Sequence, residues 1–438
     1  MSEPAQQPEM SAWGYLRLVL LGAVIGIPAA LLASVFLAFV HDLEHWLWHD
    51  LPHHLDESSP PAYLVIGLPV AGACIVVVAR RFLPGDGGHN PLHGFGGKQP
   101  LLSYAPGIAL AAIGTLSFGA VLGPEGPLIA LGAVVGILIS RIFRLGAQES
   151  SVLGTAGSFS AISALFGGPV VGGVLMMEGA IGLGASTIPI LLPGFVAAGV
   201  GYLVFVGFGN WGGLDAQAIA FPGLPEYAGV HLGDMDVALG VGVLTALLVV
   251  GVRRFAFSVS DREKRRSMPA LLILGGLAVG LLAQTANWLG ADSEEVLFSG
   301  QAATPSIIAE DSAKIVLIVL VAKALAYAIC LGCGFRGGPV FPAIFLGAAL
   351  ATFPVIWFDV SPTLAVAVGA AAGMAAMTRM LLTPILFAAL LVGPAGVDAI
   401  PAAVVAAASA WIVMALLDRR RKAQEAATPA PAAPAPAG

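Results

Sequence analysis

Long apolar runs, interrupted by glycine and proline, dominate the chain. The first runs from about Trp13 to Val40 and the second from about Ala62 to Val78. Each is long enough to cross the hydrocarbon core of a bilayer as a helix. Residues 101–206 are also apolar but are broken repeatedly by Gly and Pro. Non-helical backbone inside a membrane must be buried in protein or line a cavity, so we predict an all-α polytopic membrane protein with broken and re-entrant helices.

The composition is that of a membrane protein and argues against nucleic acid as a partner. Of the 438 residues, 58% are hydrophobic and 11% are charged, which is too apolar for a water-soluble domain. The formal net charge of −6 and the lack of a long basic run argue against nucleic acid as a partner. Cys74, Cys330 and Cys333 lie in apolar segments, where buried thiols are expected rather than disulfides or metal ligands.

Basic residues follow several apolar runs and predict the topology. Arg80 and Arg81 follow the second run, and residues 419–422 follow the last. Positive clusters mark the cytoplasmic side, so we expect a cytoplasmic C-terminus and an external histidine-rich segment at 41–61. The predicted divisions are a cytoplasmic N-terminal tail at 1–12, a transmembrane domain at 13–418 with two repeats at about 13–225 and 230–418, and a basic, then Ala/Pro-rich tail at 419–438, disordered from Ala423.

One carboxylate stands alone in an apolar stretch. In residues 119–136, GAVLGPEGPLIALGAVVG, Glu125 lies between two Gly-Pro pairs. A charge at mid-membrane costs roughly 2.5–3.5 kcal/mol on insertion scales, so it is expected to face a cavity, a partner or an ion path. Pro127 suits the first turn of a helix, and a helix that begins inside a membrane directs free N–H groups and its positive dipole end at whatever lies there. The stretch therefore predicts an anion site beside Glu125.

The second half contains a matching interruption. Residues 332–350, GCGFRGGPVFPAIFLGAAL, break an apolar region with Gly and Pro and then begin a helix. Paired interruptions in corresponding positions of two halves indicate a transporter fold with internal repeats and a site between them.

A helical hairpin with a second isolated acid follows the first interruption. Residues 150–178 form two short apolar pieces, separated by Gly167-Gly168-Pro169, and end at Glu178. Glu178 could be a proton relay, a vestibule residue or a structural acid, and the structural role is preferred because the spacing fixes no partner. Lys323, inside the span 314–331, either pairs with an acid or extends to an interface.

Two histidine-bearing segments raise the question of a metal. Imidazoles on one helix face could share an ion or titrate near neutrality. The preferred interpretations are an interfacial helix with Trp46 and Trp48 in the headgroup belt, and a solvated loop at 82–98. We therefore predict no metal site and no cofactor. The residues concerned are His41, His45, His49 and His53, at helical spacing, and Asp86, His89 and His93 in the loop.

Three ordered motifs give the chain a specific resemblance. Residues 119–136 are similar to the GxxxGxEGP signature of the CLC family of chloride channels and chloride/proton antiporters, with Glu125 at the position of the gating glutamate. Residues 154–178 resemble the family's following hairpin, and residues 322–342, with CLGCGFRGG, resemble its second-half segment leading into GxFxP. The resemblance implies a CLC-like inverted repeat, a homodimer with one pore per subunit in the plasma (inner) membrane, and an anion held by helix N-termini.

The resemblance also assigns site residues, some of which depart from the family pattern. Gly88 stands where the family has a coordinating serine, and Pro339, which has no N–H, stands where it has a backbone donor. Gly179 occupies the position of the family's internal proton glutamate, and the segment around Trp411 does not match its anion-coordinating tyrosine. The implied anion-binding residues are Gly88, Gly123, Pro124 (a basic residue in the family), Gly126, Gly338, Val340 and Phe341, with Glu178 on a candidate proton path.

These observations favour one function and leave two alternatives open. We expect transport of small inorganic anions, chloride first, by a channel or uncoupled transporter in which Glu125 is a charged plug. Deprotonated, it occupies the anion site; protonated or displaced by an anion, it swings away. Proton-coupled exchange is one alternative. The other is a metal-handling membrane protein or an enzyme using the histidines, but the sequence lacks a clustered nucleophile and base, so no enzymatic activity is predicted.

Overall fold

Helices form nearly all of the regular structure in the computed structural model, which describes residues 11–94, 99–179, 188–208, 211–214, 220–263 and 267–427. The first half contains α1 (Ala12–His45), α2 (Leu51–His54), α3 (Ala62–Phe82), α4 (Ala105–Leu116), α5 (Glu125–Ile142), α6 (Ala147–Leu165), α7 (Pro169–Gly179) and α8 (Ile188–Val206). The second half contains α9 (Leu232–Glu263), α10 (Met268–Trp288), α11 (Ser293–Val296), α12 (Thr304–Ile308), α13 (Ala313–Cys333), α14 (Val340–Phe358), α15 (Pro362–Thr378), α16 (Leu382–Val392) and α17 (Ile400–Ala427).

Eight helical stretches in the described residues are long and apolar enough to cross a membrane. Shorter apolar helices, such as α4, α7 and α15, lie between them. Helices of 11 to 17 residues are too short for a complete crossing at 1.5 Å per residue, so they enter or leave the membrane within the protein. The predicted polytopic fold with broken and re-entrant helices is confirmed.

The first helix is longer than its apolar run. Helical backbone continues from Ala12 to His54, with a π-helical turn at Trp46–Asp50. Trp46 is half exposed, but the prediction that Trp48 also lies in the headgroup belt is wrong. Trp48 is fully buried, donates its indole N–H to the Ser117 carbonyl at 3.1 Å, and packs edge-on against Phe298. A buried indole needs an acceptor, and only the tertiary structure supplies this one.

Small residues bring the helices that carry the site into close contact. Gly132 of α5 faces Gly157 of α6, where a Cβ on either would overlap the backbone of the other. Gly347 of α14 faces Gly369 of α15 in the same manner. Close backbone approach at small residues is a common way to pack helices where lipid removes the hydrophobic drive. Each broken helix is thus held by the helix that follows it.

Two other predicted segments can be compared with the structure. The hairpin at 150–178 is present as α6 and α7, with the turn at residues 166–168. The C-terminal tail differs in its start, because α17 continues to Ala427 and residues 423–427 are therefore helical. Residues 1–10 and 428–438, which make up most of the two predicted tails, lie outside the described residues.

Candidate functional site

The two interrupted segments meet at the starts of α5 and α14. Gly123 and Gly338 form an antiparallel bridge, with the Gly123 N–H donating to the Gly338 carbonyl at 2.8 Å and the reverse bond at 2.5 Å. Each glycine precedes a proline, Pro124 or Pro339, that is the N-cap of its helix. Proline at a helix start loses no intrahelical bond, because the first N–H groups have no acceptor within the helix. The N-terminus of each helix therefore opens toward the same point.

Glu125 occupies that point. It is the first residue of α5 and is fully buried. Its Oε1 accepts hydrogen bonds from the backbone N–H groups of Val340 at 2.6 Å and Phe341 at 3.3 Å, which are the first two residues of α14. Among the described residues, its Oε2 has no hydrogen-bond partner. The carboxylate of one half thus occupies the positive helix end of the other half.

Glycine makes room for this carboxylate on both sides. A Cβ added to Gly123 would lie 2.7 Å from the Glu125 carboxyl carbon, and one added to Gly338 would lie 2.7 Å from its Cγ. At Gly126, a Cβ would lie 2.8 Å from the Gly337 carbonyl oxygen. These distances are too short for real side chains, so the two segments can enclose Glu125 only because these positions are glycines.

Aromatic side chains back the second segment. The Tyr327 hydroxyl, on α13, donates to the Pro339 carbonyl at 2.6 Å and is fully buried. The ring of Phe341 stacks on Phe166, with centroids 5.6 Å apart, and meets Phe387 edge-on at 6.0 Å. Phe166 belongs to the turn of the predicted hairpin and Phe387 to α16. Segments from both halves therefore hold the start of α14 in place.

Gly88 lies in a loop that is tied to the second segment by ion pairs. Asp86, two residues earlier, accepts from Arg80 at 2.8 Å and from the Arg336 guanidinium. Arg336 precedes Gly338 by two residues, so this pairing joins the loop to the interruption across 250 positions of sequence. The Gly88 N–H itself donates to the Gly85 carbonyl at 2.9 Å. Its backbone donor is therefore used within the loop.

A cavity of about 720 Å³ lies beside the site and carries acidic groups. Pro124, which directly precedes Glu125, is part of its wall together with Glu44, Asp292, Glu294 and Glu295. Burial, followed by the negative charge of Asp292, raises the pKa of Glu294 to about 7. Burial is also the largest cause that raises the pKa of Glu295. Through Pro124, the wall of this acidic cavity reaches the start of α5, next to Glu125.

Lys323 supports the wall of the acidic cavity. It is fully buried, and its ammonium donates to the carbonyls of Glu295, Val296 and Leu297 at 2.8, 3.3 and 2.7 Å. It also lies 4.4 Å above the ring of Phe345. Of the two predicted roles, extension to an interface is wrong, whereas Glu295 does attract the ammonium electrostatically, although the hydrogen bonds go to backbone carbonyls. Lys323 caps the end of α11, where exposed carbonyls carry the negative end of the helix dipole.

Glu178 lies at a different helix start. Its Oε1 accepts from the N–H groups of Leu381 and Leu382, at 3.0 and 2.8 Å, and its Oε2 accepts from the Thr383 N–H and hydroxyl, at 2.7 and 2.5 Å. Both oxygens are therefore bonded to the beginning of α16. This geometry is that of a carboxylate that caps a helix, the structural role preferred from the sequence.

The histidines do not assemble a metal site in the described residues, where no group of three His, Cys, Asp or Glu side chains is arranged to hold an ion. His49 lies 3.8 Å from Glu294, and His89 bonds the Gly94 carbonyl at 2.6 Å. Trp411, in the segment that does not match the family's anion-coordinating tyrosine, donates its indole N–H to the Arg379 carbonyl at 3.0 Å. Cys330 is a free thiol that accepts the Val121 N–H at 3.2 Å.

Sequence reasoning missed Tyr327 and Arg336. An isolated tyrosine in an apolar span is a signal in itself, because a buried hydroxyl requires an acceptor. The sequence cannot name that acceptor. Arg336 was visible as a charge within a glycine-rich interruption, but its partner Asp86 is too distant along the chain to be inferred.

Comparisons with known proteins identify the family of the chain. The family model described as voltage gated chloride channel matches residues 71–414. Proteins named as ion-transport protein YfeO from Salmonella choleraesuis and Salmonella typhimurium are 28% identical over 356 residues, covering 76% of this chain and 79% of each relative.

Solved structures share the whole fold. A slow cyanobacterial Cl⁻/H⁺ antiporter aligns with a TM-score of 0.72 at 18% identity, covering 94% of this chain and 99% of that one. A CLC-type fluoride/proton antiporter aligns with a TM-score of 0.71 at 21% identity, covering 93% of this chain and 97% of the other. The family match extends over most of the chain and includes both interrupted segments. The chain therefore belongs to the voltage-gated chloride channel (CLC) family of anion transport proteins.

Proposed function

We propose that this protein moves small inorganic anions, chloride first, through each subunit by an uncoupled path that Glu125 closes. The observation that carries the proposal is the pair of hydrogen bonds from Val340 and Phe341 to one oxygen of a fully buried carboxylate. Two backbone N–H groups at a helix start form a binding site for any small anion. The carboxylate occupies it as a tethered anion.

The second carboxylate oxygen explains how the plug can leave. Oε2 is buried and has no hydrogen-bond partner among the described residues, so fewer donors hold this carboxylate than hold one that is bonded through both oxygens. An unsatisfied buried acceptor typically costs about 1–3 kcal/mol. Protonation of Glu125 removes its charge, and an arriving anion competes for the same donors. Either event favours release of the side chain from the start of α14.

The remaining predicted residues are proposed as parts of the same path. Gly123 and Gly338 enclose the anion from two sides, and Pro124 and Gly126 form the start of α5. The loop that contains Gly88 lies beside the path, held there by the ion pair between Asp86 and Arg336. We further propose a homodimer in the plasma (inner) membrane with a cytoplasmic C-terminus. Basic residues at the ends of α3 and α17 support that orientation.

Proton-coupled exchange is the second candidate, because acids line the cavity next to Glu125. Two proteins of similar fold carry the names Cl⁻/H⁺ and fluoride/proton antiporter. Against this candidate, Glu178 is bonded through both oxygens to the start of α16. A proton on Glu178 would displace an N–H donor, which makes it a costly relay.

Efflux from liposomes separates the two candidates. Purified protein is reconstituted with internal chloride, a potassium ionophore clamps the voltage, and chloride release is followed with and without a proton ionophore while external pH is recorded. Uncoupled transport predicts release that is insensitive to the proton ionophore and brings no proton uptake. Proton uptake in fixed proportion to chloride would establish exchange instead. Absence of efflux for chloride, fluoride and nitrate would contradict anion transport altogether.

A further inference from the structure

A single peptide unit connects Tyr327 to the anion site. The carbonyl of Pro339 accepts the Tyr327 hydroxyl at 2.6 Å, and the N–H of Val340, in the same peptide unit, donates to Glu125 at 2.6 Å. The two hydrogen bonds therefore run in series through one amide. Tyr327 comes from α13 and reaches Glu125 only through this peptide unit in these two bonds.

An amide that accepts a hydrogen bond at its oxygen becomes a stronger donor at its nitrogen. Such cooperative strengthening is about 10–30% per bond in condensed-phase estimates, and it is greatest where water is excluded. Tyr327, Pro339 and Val340 lie in that setting, since Tyr327 and Val340 are fully buried. The hydroxyl also fixes the plane of the peptide, so the Val340 N–H points at the site.

Pro339 increases the importance of the Val340 N–H as a donor to the site. Pro339 has no N–H, so α14 offers the site the N–H groups of Val340 and Phe341, and the Val340 bond is the shorter by 0.7 Å (3.3 against 2.6 Å). We propose that Tyr327 is a positioning residue that sets the anion affinity of the site by strengthening and orienting the Val340 N–H. This inference rests on the proposed function, because it takes the Glu125 position to be the place of the transported anion.

The proposal makes the effect of Tyr327→Phe depend on Glu125. In the native protein the carboxylate and a free anion compete for the same donor, so a weaker donor loosens both and the effects largely cancel. In Glu125→Gln the charged competitor is absent, so the weaker Val340 N–H lowers the affinity of the anion alone. If the hydrogen bond of the Tyr327 hydroxyl served only to stabilise a buried polar group, Tyr327→Phe would give the same change in both backgrounds.

Chloride titrations by calorimetry on purified protein test this. In the Glu125→Gln background, Tyr327→Phe is expected to raise the chloride dissociation constant about two- to fourfold, whereas in the native background the change stays below about 1.5-fold. The matched control is Tyr227→Phe, because the Tyr227 hydroxyl is also a hydrogen-bond donor, to Asp234 at 2.5 Å, and belongs to none of the segments that hold the start of α14. It should leave both constants unchanged.

Transport provides a second readout. In the Glu125→Gln background, Tyr327→Phe should raise the half-saturating chloride concentration of efflux two- to fourfold, with the maximal rate changed less than about twofold. Equal shifts in both backgrounds, or equal shifts from Tyr227→Phe, would overturn the proposal. If Tyr327→Phe does not fold, 3-fluorotyrosine at position 327 keeps the hydroxyl and makes it a stronger donor. Tighter chloride binding is then expected in the Glu125→Gln background, and unchanged or weaker binding in that background refutes the idea.

The result that would contradict the proposed function differs from the result that would contradict the role of Tyr327. If Glu125→Gln leaves both chloride efflux and its pH dependence as in the native protein, then the plug model is wrong whatever Tyr327 does. If Glu125→Gln behaves as the plug model requires but Tyr327→Phe changes chloride affinity in neither background, then the role of Tyr327 alone is wrong.

Discussion

Glu125 and Glu178 are both isolated acids among apolar helices, and both bond to a helix start more than 200 positions away, yet their surroundings differ. Glu178 accepts four hydrogen bonds through two oxygens and is partly exposed. Glu125 is fully buried, accepts through one oxygen, and leaves the other without a partner in the described structure. Both oxygens of Glu178 are therefore hydrogen-bonded, whereas one oxygen of Glu125 lacks the hydrogen bonds that would offset its burial.

This difference supports our proposal that Glu178 is a structural carboxylate and that Glu125 can move. A saturated cap loses several bonds at once when it is protonated or displaced, so it stays in place. A half-satisfied carboxylate next to a cavity gains a partner by leaving, because water or a proton can satisfy the second oxygen. The number of satisfied oxygens is therefore more informative than isolation in the sequence, which is the same for both acids.

Removing the charge at Glu125 is the change with the largest expected effect. Glu125→Gln should raise chloride efflux at pH 7.5 about tenfold and abolish its pH dependence between pH 5 and 8, since a charge-assisted bond of about 1.5–3 kcal/mol no longer holds the plug. Stopped-flow efflux from liposomes measures both. An unchanged rate together with an unchanged pH profile would contradict the plug.

Displacing the carboxylate without removing it should have the next largest effect. A methyl group from Gly338→Ala would overlap the Glu125 carboxylate and equally the anion that replaces it, so both lose the seat and efflux at pH 7.5 should fall severalfold, about three- to fivefold if the seat loses roughly 1 kcal/mol. The control is Gly251→Ala in α9, where nothing lies within 4 Å of an added Cβ. Equal efflux from both variants and the native protein would show that the enclosure by glycine does not hold the plug.

Glu178→Gln should affect stability rather than transport. The amide keeps one acceptor oxygen but places an NH₂ against N–H donors of α16, which should cost about 1–3 kcal/mol of unfolding free energy. Thermal unfolding in detergent measures the loss, and efflux of the folded protein should change less than about twofold. A changed pH profile with unchanged stability would instead make Glu178 a proton carrier.

Replacement of Glu294, in the wall of the acidic cavity, should have the smallest effect. The pKa of Glu294 is raised from 4.5 to about 7, so its protonated form contributes stability that is complete below pH 4.5 and is lost as pH rises through 7. Glu294→Gln mimics the protonated form and should reduce the loss of stability between pH 4.5 and 8 by about 1 kcal/mol, with chloride efflux raised less than about twofold. Thermal unfolding and efflux across this pH range would reveal a larger role.

Local chemistry was sufficient to identify the fold and the central acid. Composition, apolar runs and the paired Gly/Pro interruptions each reflect a constraint that acts within a few residues, because the bilayer forces backbone groups to bond locally. The interruptions at 123–127 and 338–342 therefore revealed both the helix starts and the internal repeat. The burial of Trp48 and the capping role of Lys323 were missed, since each depends on a distant element.

What the sequence determined by itself is that Glu125 lies at a broken helix within a CLC-type membrane domain. Only the tertiary structure decided which of its oxygens is satisfied, that Val340 and Phe341 are the donors, and that Tyr327 bonds the same peptide unit. Those facts depend on contacts between α5, α13 and α14, up to 216 positions apart in the chain. Local patterns predict where a helix begins, but the partner of a buried polar atom is set by packing.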